Sequence, residues 1–242
     1  MIRPRIGMVL AAGRGERLRP ITDTLPKPLV RIGDRALLDH AIDRLEAAGV
    51  ERVVVNVHYL GDLIVEHLKA RPSPKITIAH EASALETGGG VTQALNLLGD
   101  EPFFVVNGDS LWLEGKVPAL DRLAAAWDAE TTDAALLLQR TVTAIGYDGG
   151  GQGDYRLDQL GRPHRRQGVE VVPYVFAGVQ LLSPALFKSA PTGAFSLVRL
   201  YDKAEAAGRL GGLVHDGEWY HVGDPVGLRL VTDRLYGSRG DR

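Results

Sequence analysis

Apolar residues form short, nearly continuous runs along the chain, separated by longer segments in which the apolar spacing is different. The first run covers residues 6–12, and further runs of strand length lie at residues 53–57, 76–79, 103–106 and 134–138. Continuous apolar runs of this length are typical of strands that are buried on both faces of a parallel sheet. The pattern therefore predicts a buried sheet with these five runs as strands.

The segments between the runs have helical spacing. Leu38, Ile42 and Leu45 fall on one face of a helix predicted over residues 37–48, which Gly49 would end. Further helices are predicted over the ranges 61–70, 87–98 and 117–129, and Thr87 is a candidate N-cap residue. Strands that alternate with helices indicate βαβ units. The predicted fold class is therefore α/β, with a Rossmann-like mixed, mainly parallel sheet flanked by helices.

The alternation weakens after about residue 140. Residues 146–153 are rich in glycine and predict a flexible turn or loop. Short strands are expected near the ranges 155–157 and 171–182, at Val214 and over 219–222, with helices over 197–207 and 225–236. No long linker interrupts the chain, so residues 1–242 are expected to form a single domain with an elaborated C-terminal third.

The composition excludes several classes of protein. With 45% apolar and 24% charged residues the chain can form a packed core. The net charge of −2 gives no support to a nucleic-acid-binding role, and the absence of cysteine excludes disulfides and thiolate metal sites. No segment reads as a signal peptide or reaches the length of a membrane span. A cytoplasmic protein without nucleic-acid or membrane partners is expected.

A glycine-rich loop with basic side chains follows the first strand. Small residues let the backbone N–H groups approach phosphate oxygens, and basic side chains neutralise the charge of a triphosphate. Pro26 and Pro28 hold the backbone of Lys27 extended. The candidate nucleotide-binding residues in this part of the chain are Leu10, Ala11, Ala12, Gly13, Gly15, Arg17 and Lys27.

Two well-known phosphate motifs do not fit this loop. A Walker A loop needs Gly-Lys followed by Ser or Thr, and no such tripeptide occurs in the chain. A dinucleotide fingerprint needs a glycine at the position of Leu18. An ordinary surface turn with solvated basic side chains remains the alternative to a phosphate site.

The loop resembles the signature of the sugar-1-phosphate nucleotidylyltransferases. The resemblance rests on LAAGxGxRLxP over residues 10–20 together with Pro26-Lys27-Pro28. In that family the glycine loop wraps the nucleotide, the arginine contacts the β- and γ-phosphates, and the lysine lies beside the α-phosphate. The resemblance implies these roles for Arg17 and Lys27, and it implies a nucleotidyltransferase fold of the GT-A-like type.

Two aspartates are candidate ligands for Mg²⁺. Asp109 follows the strand at 103–106, where the carboxyl ends of parallel strands form a ligand crevice, although an Asx-type turn explains the residue equally well. Asp224 precedes Pro225 and suits the N-cap of a helix. The resemblance implies that Asp224 completes the metal site with Asp109, which would be catalytic. His221 stands where the family often has an aspartate, and we interpret it as a packing or polar contact.

The remaining candidates surround the base and the sugar. Residues 86–90 read Glu-Thr-Gly-Gly-Gly and begin a helix whose free N–H groups could meet a base or a sugar, with a plain N-cap as the alternative. The resemblance implies base contacts for Gly88 and Gly89, with Glu81 on the approach. An arginine, Arg165 or Arg166, would replace a family lysine that contacts the sugar phosphate; a solvated basic turn is the alternative. The predicted sugar-binding residues are Asn107, Gly146, Arg166 and Gly178, and Asn107 is also predicted to bind the nucleotide.

Several segments are similar to one branch of the family, the N-acetylmuramate α-1-phosphate uridylyltransferases of peptidoglycan recycling. They cover residues 85–90, 107–112, 195–197 and 201–204. The resemblance implies Mg²⁺-dependent transfer from UTP to that sugar phosphate, with residues 1–140 binding the nucleotide and 141–242 the sugar. It leaves open a mannose- or glucose-1-phosphate enzyme that uses GTP or dTTP.

A function of another class is a catalytically silent nucleotide-sugar sensor. Such a protein would be expected to lose phosphate- and metal-binding residues, all of which the chain keeps. The expected partners are small molecules, and the chain is expected to be a monomer or a small homo-oligomer.

Overall fold

The computed structural model describes residues 2–147 and 150–237. Within these residues it contains fourteen strands and six α-helices. The strands are β1 Ile6–Leu10, β2 Arg31–Ile32, β3 Arg35–Ala36, β4 Arg52–Val57, β5 Lys75–His80, β6 Phe103–Asn107, β7 Ser110–Leu113, β8 Ala134–Arg140, β9 Ala144–Ile145, β10 Tyr155–Leu157, β11 Pro163–Arg165, β12 Tyr174–Leu182, β13 Leu210–Val214 and β14 Glu218–His221. The helices are α1 Leu37–Ala47, α2 Gly61–Lys69, α3 Glu86–Leu98, α4 Ala119–Ala126, α5 Val198–Ala206 and α6 Pro225–Tyr236.

A nine-stranded mixed sheet forms the centre of the molecule. Its main path runs β11-β10-β12-β6-β1-β4-β5, and β8 pairs with both β12 and β13. The strands β6, β1, β4 and β5 are parallel to one another, whereas β12 is antiparallel to both β6 and β8. The predicted α/β fold class, with a mixed, mainly parallel sheet flanked by helices, is confirmed.

Two large apolar clusters pack against this sheet. Met8, Val54 and Val105 belong to one cluster, and their neighbours Val9, Val55 and Val106 belong to the other. Because successive side chains of a strand point to opposite faces, this division shows that β1, β4 and β6 are buried on both sides. The unbroken apolar runs in the sequence have this cause.

A small three-stranded sheet brings the C-terminal part of the chain to the end of β6. Its central strand, β14, is antiparallel to β7 and parallel to β9. His221 lies opposite Ser110 in this register, so it is next to the segment that carries Asp109.

Helix α3 begins differently from the prediction. Its first residue is Glu86, which has a positive φ of 57°, and its N-cap residue is Leu85. The predicted N-cap, Thr87, is wrong, because its hydroxyl accepts a hydrogen bond of 2.9 Å from the backbone N–H of Leu197. A contact with a distant segment thus replaces the local cap.

Two other expectations concern the ends of elements. Gly49 follows α1 with a φ of 86°, the conformation predicted for a glycine that ends a helix. The glycine-rich loop predicted over 146–153 includes Asp148 and Gly149, which lie outside the described residues. None of the described helices is both long and apolar enough to cross a membrane.

Candidate active site

A cavity of about 410 Å³ opens at the carboxyl ends of β1 and β6. Helix α3 begins on one side of it, and the glycine-rich loop lies on the other. Most of the nucleotide-binding residues predicted from the sequence line this cavity, namely Leu10, Ala11, Ala12, Gly13, Gly15, Lys27, Glu81 and Asn107, and so does Asp109. The carboxyl edge of a parallel sheet is where ligands of open α/β folds bind.

The two glycines of the loop have different surroundings. Gly15 has a φ of 63°, and a Cβ atom there would lie 2.8 Å from the Cβ of Lys27. No protein atom lies within 4 Å of the position a Cβ atom would take at Gly13. Gly15 is therefore required by the fold of the loop, whereas Gly13 leaves open space on the side of the cavity.

Asn56 is a site residue that the sequence analysis missed. Its side-chain oxygen accepts a hydrogen bond of 2.9 Å from the N–H of Ala11, and its amide donates to Glu81 at 2.6 Å. The second oxygen of Glu81 accepts from the N–H of Leu85 at 3.2 Å. This buried pair therefore joins the glycine-rich loop to the start of α3. An asparagine inside the apolar run 53–57 is the signal that could have revealed it.

Lys27 and Asp109 form an ion pair at the wall of the cavity. The Lys27 Nζ lies 2.6 Å from the Asp109 Oδ2, and the two side chains are 11% and 31% exposed. Burial raises the pKa of Asp109, but the charge and the hydrogen bond of Lys27 outweigh this effect and hold the pKa below its ordinary value. The carboxylate is therefore ionised at neutral pH.

A tight backbone contact fixes the position of this pair. The N–H of Gly108 donates to the carbonyl oxygen of Leu10 at 2.9 Å, and a Cβ atom at Gly108 would lie only 2.7 Å from that oxygen. Only a glycine permits this approach. Asp109 is thereby held against the end of β1, beside the glycine-rich loop.

His221 lies among the charged groups of the site. Burial lowers its pKa most strongly; Asp109 and Asp224 raise it, whereas Lys27 and Arg17 lower it. The sequence interpretation of His221 as a packing residue agrees with the structure, because its ring stacks on Trp219 at 5.8 Å and meets the edge of Tyr147 at 6.3 Å.

Asp224 has the structural role that its sequence position suggested. It is the N-cap residue of α6, and its Oδ1 accepts a hydrogen bond of 2.8 Å from the N–H of Gly227. Arg17 lies in a 3₁₀ turn, Glu16–Leu18, with its side chain exposed. Both residues are close enough to His221 to affect its pKa, although neither lines the cavity.

Gly88 and Gly89, which were expected to contact the nucleotide base, have no free backbone N–H groups at the start of α3. The N–H groups of Gly88 and Gly89 donate to the carbonyl oxygen of Phe195, at 2.8 and 3.2 Å. A Cβ atom at Gly88 would lie 2.3 Å from the ring of Phe195. These glycines therefore admit the segment around Phe195 and do not line the cavity. Ala84, Leu85, Glu86 and Thr87 line it instead.

Of the residues predicted for the sugar, Asn107 lines the cavity, and Gly178 and Gly146 pack against segments of the site. Gly178, with a φ of 73°, packs so closely that a Cβ atom would lie 2.1 Å from the Ser110 hydroxyl and 3.0 Å from the Asn107 amide. At Gly146, with a φ of 75°, a Cβ atom would lie 2.5 Å from the carbonyl oxygen of His221. Both glycines therefore allow neighbouring segments to approach Asn107 and His221.

The two candidate arginines point in different directions. The guanidinium of Arg165 binds the carboxylate of Asp202 on α5, with one contact at 2.8 Å. Arg166 instead donates to the carbonyl oxygens of Gly153 at 3.0 Å and Gly168 at 2.6 Å. Both arginines also border a second cavity of about 410 Å³ beside α5.

Comparison with protein families identifies the chain. The model of the family described as Nucleotidyl transferase matches residues 6–147. The chain belongs to this family. The matched part of this nucleotidyl transferase contains the glycine-rich loop, Lys27 and Asp109.

Curated relatives extend the match over the rest of the chain. This nucleotidyl transferase is 46% identical to the N-acetylmuramate alpha-1-phosphate uridylyltransferase of Caulobacter vibrioides, over 96% of the chain and 97% of the relative. The enzyme of the same name from Neisseria meningitidis serogroup B is 35% identical over 92% and 94%. A mannose-1-phosphate guanylyltransferase catalytic subunit beta from Danio rerio is 30% identical over 90% of the chain and 61% of the relative.

Solved structures share the fold. A UDP-glucose pyrophosphorylase complexed with UDP-glucose superposes with a TM-score of 0.78 at 19% identity, over 99% of this chain and 100% of the other. The inositol-1-phosphate CTP transferase from T. maritima gives a TM-score of 0.74 at 20% identity, over 98% of both chains.

Nucleotidyl transferases generally use a divalent metal ion. Near His221, the carboxylates of Asp109 and Asp224 supply some of the ligands that such an ion needs. Among the described residues no group of three His, Asp or Glu side chains is arranged as a metal site. The Oδ1 of Asp109 and the Oδ2 of Asp224 form no side-chain hydrogen bond with the described residues. Carboxylate oxygens suit Mg²⁺, which keeps waters and takes phosphate oxygens as its other ligands.

Proposed function

We propose that the chain transfers the uridylyl group of UTP to N-acetylmuramate α-1-phosphate and releases pyrophosphate. The observation that carries this proposal is the Lys27–Asp109 ion pair at the wall of a cavity formed by a glycine-rich loop. The choice of UTP and of this sugar is supported by the 46% identity to the uridylyltransferase of Caulobacter vibrioides. In this proposal the enzyme acts in the cytoplasm, in peptidoglycan recycling, on small-molecule substrates.

The proposed reaction is an in-line displacement at the α-phosphorus. A phosphate oxygen of the sugar 1-phosphate is already an anion at neutral pH, so no general base is needed. The main barrier is repulsion between two anions, which cations lower by binding and orienting both substrates. We assign Lys27 to the α-phosphate and Arg17 to the departing pyrophosphate.

The metal ion in this proposal is Mg²⁺, with Asp109 and Asp224 as its protein ligands. Bound there, Mg²⁺ would reduce the negative charge of the phosphates. Asp109 has two functions in this scheme, because its Oδ2 also orients the ammonium group of Lys27.

The two parts of the single proposed domain bind different substrates. Residues 1–140 would hold the nucleotide, with the base near Glu81, Leu85 and Thr87 at the start of α3. Residues 141–242 would hold the sugar, together with Asn107. Gly146, Gly178 and Arg166 are the proposed sugar-side residues of that part.

An assay of pyrophosphate release tests this function. The protein is incubated with each of UTP, GTP and dTTP, combined in turn with the 1-phosphates of N-acetylmuramate, mannose and glucose. We expect the highest kcat/KM for UTP with N-acetylmuramate α-1-phosphate. Equal or better turnover of mannose 1-phosphate with GTP would disprove the substrate assignment, and no release with any pair would favour a nucleotide-sugar sensor.

A further inference from the structure

A buried polar pair lies at the carboxyl edge of the sheet, where β4 and β5 meet the cavity. Asn56 on β4 is 3% exposed, and Glu81, the residue after β5, is 7% exposed. Both side chains line the cavity. Polar groups are costly to bury unless they are hydrogen-bonded, and the hydrogen bonds of this pair are made with each other and with the backbone.

The two side chains connect backbone segments on opposite sides of the cavity. The side-chain oxygen of Asn56 accepts from the N–H of Ala11 at 2.9 Å, and its amide group donates to one oxygen of Glu81 at 2.6 Å. The other oxygen of Glu81 accepts from the N–H of Leu85 at 3.2 Å. An amide suits the middle of this chain of hydrogen bonds, because it accepts at one end and donates at the other. A carboxylate in its place would repel Glu81.

Gly90, the third glycine of the run 88–90, makes room for the pair. A Cβ atom at Gly90 would lie 2.6 Å from the Oε1 of Glu81 and 2.9 Å from the Nδ2 of Asn56. Glycine inside a helix is less stable than alanine by about 0.5–1 kcal/mol. The close approach of α3 to the pair therefore explains a glycine at a helical position where it is otherwise unfavourable.

Each end of the chain of hydrogen bonds restrains backbone that faces the cavity. Ala11 precedes Ala12 and Gly13, whose backbone N–H groups form no hydrogen bond with the described residues and are free for phosphate oxygens. At the other end, Leu85 is the N-cap residue of α3, and the next residue, Glu86, has a positive φ of 57°. The contact with Leu85 therefore holds the chain where it enters an unfavourable conformation.

We propose that Asn56 and Glu81 are positioning residues, whose hydrogen bonds set the separation between the glycine-rich loop and the start of α3 and thereby the affinity for UTP. This inference rests on the proposed function, which assigns the triphosphate to the loop and the base to α3. The pair acts through Ala11 and Leu85 and needs no contact of its own with the ligand. Its loss is therefore expected to affect nucleotide binding more than the attack by the sugar phosphate.

Exchange of the amide and the carboxylate tests the proposal. Asn56→Asp places a second carboxylate against Glu81, whereas Glu81→Gln leaves one N–H donor facing another. We expect each substitution to raise the Kd of UTP, measured by calorimetry on the full chain, by about 10-fold or more, the size of one lost hydrogen bond to a charged group. The pyrophosphate assay should show a similar rise in the KM for UTP, with smaller changes in kcat and in the KM for the sugar phosphate.

The double variant Asn56→Asp/Glu81→Gln exchanges the two groups and can form all three hydrogen bonds again. The new carboxylate accepts from Ala11 and from the new amide, and the amide oxygen accepts from Leu85. We expect a Kd for UTP within about threefold of the wild type, since substitutions of two groups in contact are not additive. A double variant that binds UTP no better than Glu81→Gln alone would overturn the proposal and would indicate a direct contact between the carboxylate and the nucleotide.

The matched control is Gln180→Glu, the same exchange of an amide for a carboxylate at a buried position of β12. Gln180 accepts a hydrogen bond from the hydroxyl of Tyr201 and is not among the residues that line the cavity. Its free energy of unfolding should fall, but its Kd for UTP should be that of the wild type. A loss of UTP affinity as large as that of Asn56→Asp would overturn the proposal, because general destabilisation would then be the cause.

The wild-type protein separates this inference from the proposed function. If it binds UTP but releases no pyrophosphate with any sugar 1-phosphate, the proposed function fails, and the Kd values of the variants still decide the role of the pair. If it does not bind UTP, both are overturned.

Discussion

The ion pair between Lys27 and Asp109 joins two segments that are 82 residues apart in the sequence. Pro26 and Pro28 restrict the backbone on one side of the pair, and the Gly108–Leu10 contact fixes the other. The pair therefore has two roles, because it closes the wall of the cavity and holds one ammonium group in a fixed place. Stability and the proposed catalysis at this point depend on the same contact.

Replacement of Lys27 tests the stabilising role of the ion pair through the pH dependence of the free energy of unfolding. Lys27→Met leaves the partly buried Asp109 carboxylate without its cation, so we expect the free energy of unfolding to fall by about 1–3 kcal/mol at neutral pH. In the wild type the pKa of Asp109 is lowered, and the stabilisation is lost only as the pH falls through that low value. In the variant we expect burial to raise the pKa of Asp109 above its ordinary value. Protonation of Asp109 as the pH falls then removes the cost of burying an unpaired carboxylate. Denaturant unfolding between about pH 7.5 and pH 5 should show that the free energies of unfolding of the wild type and the variant become more similar as the pH falls.

A surface lysine provides the control for this experiment. Lys69 pairs with Glu66 on the exposed side of α2, and such pairs contribute little to stability. Lys69→Met should therefore have the stability of the wild type at every pH. A difference for Lys27→Met that stays constant with pH would contradict the assigned electrostatics of Asp109.

The residues of the site differ in how far the sequence predicts them. Lys27 and Asp109 belong to contiguous motifs, so their place at the sheet edge follows from the strand that precedes each motif. Asn56 does not belong to such a motif, and His221 departs from the family pattern at its position. Their roles come from contacts with Ala11, Glu81 and Tyr147, which are distant in the sequence and meet only in the folded chain.

At the level of elements, the N-terminus of α6 combines a structural function with a proposed catalytic one. Asp224 caps the helix through the N–H of Gly227, and it is also the proposed second ligand of Mg²⁺. A substitution that keeps the cap and removes the charge distinguishes the two functions.

Asparagine caps helices as well as aspartate does, whereas alanine does not. Asp224→Asn is therefore expected to unfold within a few tenths of a kcal/mol of the wild type, and Asp224→Ala to lose about 1 kcal/mol. If Asp224 binds Mg²⁺, both variants lose turnover to a similar extent, by about 100-fold or more. Thermal or denaturant unfolding and the pyrophosphate assay measure the two quantities. Wild-type turnover in Asp224→Asn would show that the residue is only a cap.

The start of α3 shows why element boundaries and glycine functions are hard to predict. The helix predicted over residues 87–98 agrees with α3 except for its first residue, since apolar spacing is a local signal. Thr87, Gly88 and Gly89 read as a cap and an open N-terminus, but all three contact the segment from Phe195 to Leu197. That segment lies more than a hundred residues away, so no local pattern reports the contact.

At the scale of the whole molecule, the carboxyl edge of the central sheet brings the glycine-rich loop, Asn107 and Asp109 to one cavity. The parallel strands β1, β4 and β6 were predictable because each consists mainly of a short apolar run that is followed by a helix or a loop. The apolar pattern does not reveal that β12 runs antiparallel to β6, since such a pattern is independent of strand direction. This antiparallel strand brings Gly178 to Asn107, and it thereby joins the C-terminal part of the chain to the cavity.

The central claim is that this edge of the sheet transfers a nucleotidyl group, and labelled UTP tests it most directly. The protein is incubated with N-acetylmuramate α-1-phosphate and UTP that carries ³²P at the α-position, or in a parallel reaction at the γ-position, and the products are separated by chromatography. We predict that the α-label appears in the nucleotide sugar and the γ-label in pyrophosphate. Recovery of the γ-label on the sugar, or of the α-label in free UMP alone, would contradict nucleotidyl transfer at this site.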